Sequence, residues 1–149
     1  MRVFIQNEAG SRVKNSHHEK TLGWLSAAQV SRVYPFPYGF ILNTTAEDGD
    51  NVDCFVLTKA PLETGHIVEC EALALMEQIE DGQVDHNVLA VMPGEEAQLD
   101  DRARQLLIEF VSHVFDHIPA KKIAPGSFRS RETALDYICK HKDSMPAAG

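Results

Sequence analysis

The sequence predicts an α+β domain in which short β-strands precede two C-terminal helices. Two observations lead to this. The first three quarters of the 149 residues alternate between short apolar runs and turn residues, whereas the remainder carries apolar residues at helical spacing. This order favours helices packed on a compact barrel or sandwich. We expect one domain over 1–149, with a frayed tail from about Asp143.

Turn signals separate the predicted strands. Pro35 and Pro37 exclude a central strand at their positions, and a turn is expected at Asp48-Gly49-Asp50. The strands are expected at 3–5, around 40–42, and at 52–57, 66–76 and 88–92.

One long helix is predicted from an apolar stripe of about five turns. Asp100 and Asp101 near its start suit the positive end of the helix dipole, and Pro119 ends it. A second helix is expected to begin at Ser130 as N-cap and to end in the basic residues 140–142. The stripe comprises Leu99, Ala103, Leu106, Leu107, Phe110, Val111, Val114 and Ile118.

Composition narrows the class of protein. A formal charge of -8 disfavours nucleic acid as a partner, because the surface would repel a polyphosphate backbone. Cys54, Cys70 and Cys139 have no close pairing in sequence and read as free thiols of a reducing compartment. The N-terminus lacks a secretory apolar region, and no window reaches membrane-spanning length. We therefore expect a cytoplasmic protein without a membrane partner.

The densest group of chemically active residues is the acidic segment 47–53, which contains three aspartates. Crowded carboxylates raise one another's pKa, and a hard cation such as Mg²⁺ relieves that repulsion. A solvated acidic turn is the alternative. An EF-hand is excluded because counting from Asp48 puts Asp53 where glycine is required and Lys59 where the closing glutamate is required.

Two further groups of possible ligands lie elsewhere in the chain. Glu77, Glu80, Asp81 and Asp85 sit in a connection that a barrel could bring near the first cluster, although a solvated hairpin loop explains them equally well. His113 and His117 lie one helical turn apart, a spacing that permits zinc binding. The metalloprotease order is absent, so a solvated helix face is the preferred interpretation.

The segment 34–57 closely resembles the core of soluble family I inorganic pyrophosphatases, with its tyrosine-proline pair, tyrosine-glycine pair and aspartate signature. It reads YPFPYGFILNTTAEDGDNVDCFVL. Weaker similarity extends over 10–14, 61–65 and 85–91 and into the closing helices. The resemblance implies a small five-stranded OB-like β-barrel flanked by C-terminal helices. It also implies hydrolysis of inorganic pyrophosphate with Mg²⁺, or Mn²⁺, and a homo-oligomeric assembly.

The resemblance also implies roles for individual residues. Asp50 would be the general base that activates the attacking water. Glu80 falls where the family has another metal-binding aspartate, so its longer side chain would shift the ion. Lys14 would bind phosphate, and Tyr38 would help to shape the site. The tightest metal would be held by Asp48, Asp53 and Asp85.

The chain departs from the family pattern mainly in its phosphate-binding residues. Where the family has an arginine this chain has Ser26, and where the family has a lysine it has Asn87. The family's tyrosine-lysine pair falls at 118–119, and its early glutamates fall at Phe4 and Ser16. Each lost cation costs about 10²-fold in rate. We therefore expect a pyrophosphatase of reduced or altered efficiency. The alternatives are a non-catalytic metal-binding, phosphate-binding or assembly module, and a hydrolase of another small phosphorylated compound.

Overall fold

The computed structural model of the chain describes residues 1–144, which form ten β-strands and two α-helices. Most of the predicted tail, 145–149, lies outside the described residues, whereas the backbone N–H of Asp143 donates to the Asn43 carbonyl at 2.9 Å. The elements are β1 Arg2–Asn7, β2 Val13–His17, β3 Trp24–Gln29, β4 Tyr38–Ile41, β5 Asp53–Val56, β6 Ile67–Glu69, β7 Glu71–Glu80, β8 Gln83–Val84, β9 Asn87–Val91, α1 Asp101–His113, β10 Ile123–Arg129 and α2 Arg131–Lys140.

The main sheet has the strand order β10-β7-β9-β5-β4-β1-β6, with β8 paired to β7. Its neighbouring strands are antiparallel except for β5 and β9, which run parallel with Asp53 opposite Asn87. Strands β2 and β3 form a separate hairpin. The α+β class with a β-sheet and C-terminal helices is confirmed, although the hydrogen-bonded path through residues 1–144 stays open.

The central strand β5 explains why its sequence is apolar without alternation. Cys54 and Val56 face the core cluster that includes Ile138 of α2, whereas Phe55 faces the cluster that includes Phe110 of α1. Each of the three strand residues is at most 1% exposed. The strand is therefore buried on both faces, with α2 on one side and α1 on the other. A strand covered on both faces has apolar residues at successive positions, which explains the apolar run.

Both helices occur where the sequence predicts them. Asp100 caps α1 by accepting from the backbone N–H of Ala103, and Ser130 caps α2 in the same way. Helix α1 ends at His113, so the predicted stripe overruns it into the turns before Pro119. None of the helices within residues 1–144 is long and apolar enough to cross a membrane.

Four strands, β2, β3, β8 and β10, are absent from the sequence prediction. Every residue of β3 is exposed, so the strand carries no pattern of alternating burial. Strand β10 contains Pro125 and Gly126, which normally argue against a strand. Its pairing with β7 shifts register between Pro125 and Phe128, and this irregularity accommodates both residues.

A close backbone contact at Gly39 provides a test of the fold. A Cβ built at Gly39 would overlap the carbonyl oxygen of Phe4 on the neighbouring strand β1. We expect Gly39→Ala to lower the free energy of unfolding by about 3 kcal/mol, because backbone cannot give way as a flexible side chain can. Gly23→Ala is the control, since its nearest neighbour would be the Thr21 hydroxyl at 3.6 Å. Urea denaturation of both variants measures the difference, and equal stabilities would contradict the assignment.

Candidate functional site

One polar cavity of about 430 Å³ brings all seven of the predicted site residues together. It opens where several strands begin or end and extends under the β2–β3 hairpin. A larger groove of about 820 Å³ beside α2 is mainly apolar and contains none of the seven. The seven residues along the polar cavity are Lys14, Tyr38, Asp48, Asp50, Asp53, Glu80 and Asp85.

The parallel pairing of β5 and β9 places two of the carboxyl groups side by side. Asp53 is the first residue of β5, and Asp85 lies two residues before Asn87, which begins β9 opposite Asp53. In a parallel pair the starts of both strands lie at the same edge of the sheet. Residues that are far apart in sequence therefore meet at one wall of the cavity.

Three acidic groups on this wall shift one another's pKa. Burial, with the Asp85 carboxyl next in effect, raises the pKa of Asp53 well above its ordinary value. Burial and a hydrogen bond with Glu80 raise the pKa of Asp85 to about 7. Although burial favours the neutral acid, hydrogen bonds with Asp85 and Lys121 lower the pKa of Glu80. Protons thus relieve the repulsion that full ionisation of the wall would cause.

The acidic segment 44–53, here called the aspartate loop, is stabilised by a hydrogen bond within the loop and by a contact with α2. The Asp48 side chain accepts from the backbone N–H of Asp50 at 3.0 Å, and Gly49 between them takes φ +89°. Asp48 and Asp50 are exposed along the cavity rim. On the outer side, Glu47 accepts from the Tyr137 hydroxyl at 2.7 Å. This contact ties the loop to α2.

Glu19 is a further acidic group of the cavity that the sequence did not indicate. It lies in the turn between β2 and β3, and its Oε1 accepts from the backbone N–H of Asn51 at 2.9 Å. Burial, followed by the nearby Asp50 charge, raises the pKa of Glu19 to about 7. Nothing in the local sequence signals this position, because only the folded hairpin brings Glu19 to the aspartate loop.

Two lysines line the cavity beside Phe115. The Nζ atoms of Lys14 and Lys121 lie 5.0 and 4.8 Å from the centroid of the Phe115 ring. Lys121 also forms a 2.8 Å ion pair with Glu80, the residue expected to serve as a shifted metal ligand. Arg12, Arg32, Lys122, Arg129 and Arg131 do not line the cavity.

Asn87, which the resemblance aligns with a lysine of the family, belongs to a chain of neutral amides. Asn87 is 3% exposed, and its Nδ2 donates to Oε1 of Gln78 at 3.1 Å. Gln78 Nε2 donates in turn to Asp85 Oδ2 at 3.3 Å. The substitution at 87 therefore orients Asp85 through Gln78 while adding no positive charge.

The other departures have different surroundings. Ser26 lies on the exposed strand β3 and does not line the cavity. Phe4 is buried against Phe40, with ring centroids 5.1 Å apart. Ser16 lines the cavity, so at this position a small hydroxyl takes the place of a carboxylate.

The residues of the cavity fit a divalent cation by their chemistry. Six carboxyl groups face two lysines, and hard cations prefer such oxygen donors. No three histidine, cysteine or acidic side chains within residues 1–144 form a preassembled chelating group. A cation would therefore draw the carboxylates inward, and the assignment of Asp48, Asp53, Asp85 and Glu80 as its ligands stays a prediction.

Comparison with known proteins agrees with this geometry. The family model described as "Inorganic pyrophosphatase" matches residues 3–145. The chain belongs to the inorganic pyrophosphatase family. The inorganic pyrophosphatase of Neisseria meningitidis serogroup B is 34% identical over 130 residues, which cover 77% of this chain and 70% of that protein. That of Aquifex pyrophilus is 28% identical over 127 residues, covering 78% and 71%.

The solved structure of the Helicobacter pylori inorganic pyrophosphatase has the same fold. Its TM-score is 0.87 at 21% identity, with 95% of this chain and 90% of that chain covered. The predicted family, a family of metal-dependent phosphoanhydride hydrolases, is thus confirmed, and so is the predicted fold.

The fit of a cation to the cavity can be tested by thermal unfolding. A ligand at a hundred times its Kd stabilises the native state by about 2.7 kcal/mol. For a chain of this length that raises Tm by roughly 5–10 °C. We expect Mg²⁺ to raise the parent Tm in this way and to have little effect on Asp53→Asn, which lacks one ligand oxygen.

The control for this measurement is Asp136→Asn, at an exposed position of α2 outside the cavity. It should keep the full response to Mg²⁺. A parent Tm that does not change with Mg²⁺ concentration would contradict the predicted site.

Proposed function

We propose that the chain hydrolyses inorganic pyrophosphate to phosphate with Mg²⁺, at a rate reduced by the loss of phosphate-binding cations. The observation that carries this proposal is the division of one small cavity into a carboxylate wall and a pair of lysines on Phe115. Oxygen donors for cations and cationic groups for phosphate are what this reaction requires. Membership of the pyrophosphatase family supports the choice of substrate.

The carboxylate wall would hold the cation through Asp48, Asp53 and Asp85. Mg²⁺, when bound, neutralises phosphate oxygens and lowers the pKa of an attacking water. Glu80 is engaged by Lys121 at 2.8 Å, so a role as ligand requires this ion pair to loosen. Mn²⁺ prefers similar oxygen donors and would serve as a substitute.

Asp50 is the best-placed general base. It is exposed at the cavity rim beside Asp48, where its carboxylate is free to accept a proton from water. Its backbone is held at both sides, because the N–H donates to Asp48 and the carbonyl accepts from the N–H of Ala46 at 2.7 Å. These two bonds fix the backbone from which the Asp50 carboxylate extends to the cavity rim.

Lys14 and Lys121 would bind the phosphate oxygens. Both ammonium groups lie near the same aromatic ring, so a small anion would contact both at once. Tyr38 lines the cavity as a neutral phenol, since burial and the nearby Asp53 raise the pKa of Tyr38 well above its ordinary value. We propose that its hydroxyl helps to shape the substrate pocket.

The same geometry accounts for the reduced rate. Developing charge on a transferred phosphoryl group is stabilised by positioned cations, and each one is worth about 10²-fold. Lys121 replaces part of what was lost, but its ion pair with Glu80 partly neutralises it. The alternatives to slow pyrophosphate hydrolysis are hydrolysis of another small phosphorylated compound and a complete loss of catalysis.

Two finer features are also proposals. A cytoplasmic location is supported by the free thiols of Cys54 and Cys70, both buried in the core. A homo-oligomer is supported by the resemblance to the family. The proposed partner is pyrophosphate, and neither nucleic acid nor a membrane is expected to bind.

Removing the proposed base should remove most of the activity. We expect Asp50→Asn to lower kcat by about 10²- to 10⁴-fold, because an amide cannot accept the proton, while the Tm response to Mg²⁺ is largely kept. Phosphate release is measured with pyrophosphate, nucleotides and sugar phosphates as substrates. Unchanged turnover in the variant would exclude Asp50 as the base, and no release from the parent with any substrate would favour a non-catalytic protein.

Lys121 provides a test of the phosphate side of the cavity. We expect Lys121→Met to lower kcat/KM for pyrophosphate by about 10²-fold, since a cation beside the substrate is lost. Lys122→Met changes an adjacent exposed lysine outside the cavity and should leave kcat/KM nearly unchanged. Equal effects of the two substitutions would show that general surface charge, rather than Lys121, matters.

A further inference from the structure

The β2–β3 hairpin contributes side chains to the lining of the cavity, although most residues of the hairpin are not buried. Lys14 and Leu25 line the cavity from β2 and β3, while every residue of β3 is exposed. The position of Lys14 relative to the aspartate loop therefore depends on what holds the hairpin in place. An exposed two-stranded ribbon is only marginally stable without other contacts.

The base of the hairpin is attached to the main sheet. The backbone N–H of Asn15 donates to Asn7 Oδ1 at 2.7 Å, and its side chain donates to the Gln6 carbonyl at 3.0 Å. Below it, the N–H of Val30 donates to the Arg12 carbonyl at 2.8 Å. The Asn15 contacts attach the ribbon to β1, the Val30 contact closes its open end, and His17 at the end of β2 packs on Phe4 with ring centroids 4.9 Å apart. The turn beyond His17 is held by other contacts.

Two consecutive residues hold the turn. Glu19 Oε1 accepts from the Asn51 N–H at 2.9 Å, on the far side of the aspartate loop. Lys20 Nζ donates to the Thr44 carbonyl at 2.7 Å and to the Thr45 hydroxyl at 2.9 Å, on the near side. The turn thus forms hydrogen bonds with both ends of the aspartate loop, which contains Asp48 and Asp50.

We propose that Glu19 and Lys20 are positioning residues that hold the hairpin, and with it Lys14, over the aspartate loop. They set the distance between the phosphate-binding lysine and the carboxylates without themselves contacting substrate. The consequence for catalysis rests on the proposed function, whereas the mechanical role of the two residues does not.

The only tryptophan of the chain reports on this hairpin directly. Trp24 begins β3 opposite His17, and it is 60% exposed. Its indole N–H donates to Asn15 Oδ1 at 3.5 Å, a long contact that leaves the ring sensitive to motion of the ribbon. Time-resolved fluorescence anisotropy of Trp24 therefore measures hairpin mobility with or without turnover.

The main experiment compares Glu19→Ala, Lys20→Met and their combination with the parent. The double variant loses three hydrogen bonds, and we expect a clearly larger fast component of Trp24 depolarisation together with a KM for pyrophosphate raised about tenfold. Thr21→Ala is the control, because it changes the same turn outside these three contacts. It should match the parent in both measurements.

Glu19→Gln separates positioning from a role of the charge. The amide oxygen still accepts from the Asn51 N–H, so this variant should restore the anisotropy and the KM of the parent. A Glu19→Gln protein as impaired as Glu19→Ala would overturn the proposal in favour of a carboxylate that binds a cation. Unchanged Trp24 anisotropy in the double variant would overturn it as well.

Failure of the proposed function gives a different result. If Trp24 becomes mobile in the double variant but the parent releases no phosphate from pyrophosphate, the positioning role stands and the substrate is wrong. Circular dichroism of each variant confirms that the main sheet is folded, which is expected because the substituted side chains lie outside the core.

Discussion

Repulsion among acidic groups is the constraint on which this structure depends. The fold brings carboxyl groups from the hairpin turn, the aspartate loop, the strands β5 and β7, and the segment just before β9 into one cavity. The raised pKa values of Asp53 and Asp85 favour their neutral forms, which removes part of the repulsion. The Lys121 ion pair of Glu80 and the backbone donors to Asp48 and Glu19 remove a further part. The repulsion that remains can be relieved by a bound cation. The same repulsion that opposes folding of the site therefore favours metal binding.

The two sides of the cavity are built in different ways. The backbone of the carboxylate wall stands on buried strands with helices packed on both faces. The lysine side stands on an exposed hairpin and on the segment that follows α1. Among the departures that the resemblance suggests, Ser16, Ser26 and residues 118–119 fall on this second side, where a change of side chain costs little in packing. Phe4 and Asn87 lie instead on buried strands of the main sheet.

Local patterns in the sequence predicted the features that local physics controls. The N-cap at Ser130, the acidic start of α1 and the crowded aspartates were predicted because capping and charge density are properties of a few neighbouring residues. Strand β10 was missed, since only pairing with β7 stabilises a segment that contains proline and glycine. Glu19 reaches the cavity through the path of the hairpin, which no short window encodes. Lys121 is one of several basic residues of the sequence, and only the fold shows that it lines the cavity.

The parallel pairing of β5 with β9 has a consequence for the order of folding. Parallel strands cannot be joined by a tight turn, and here the connecting segment includes β6, β7 and β8. Asp53 and Asp85 therefore meet only after a long segment has closed, a step that nonlocal contacts place late. A partly folded chain would hold the aspartate loop without its partner strand and so bind cations weakly. Bound metal should then act mainly by slowing unfolding, and it would leave the rate of folding almost unchanged.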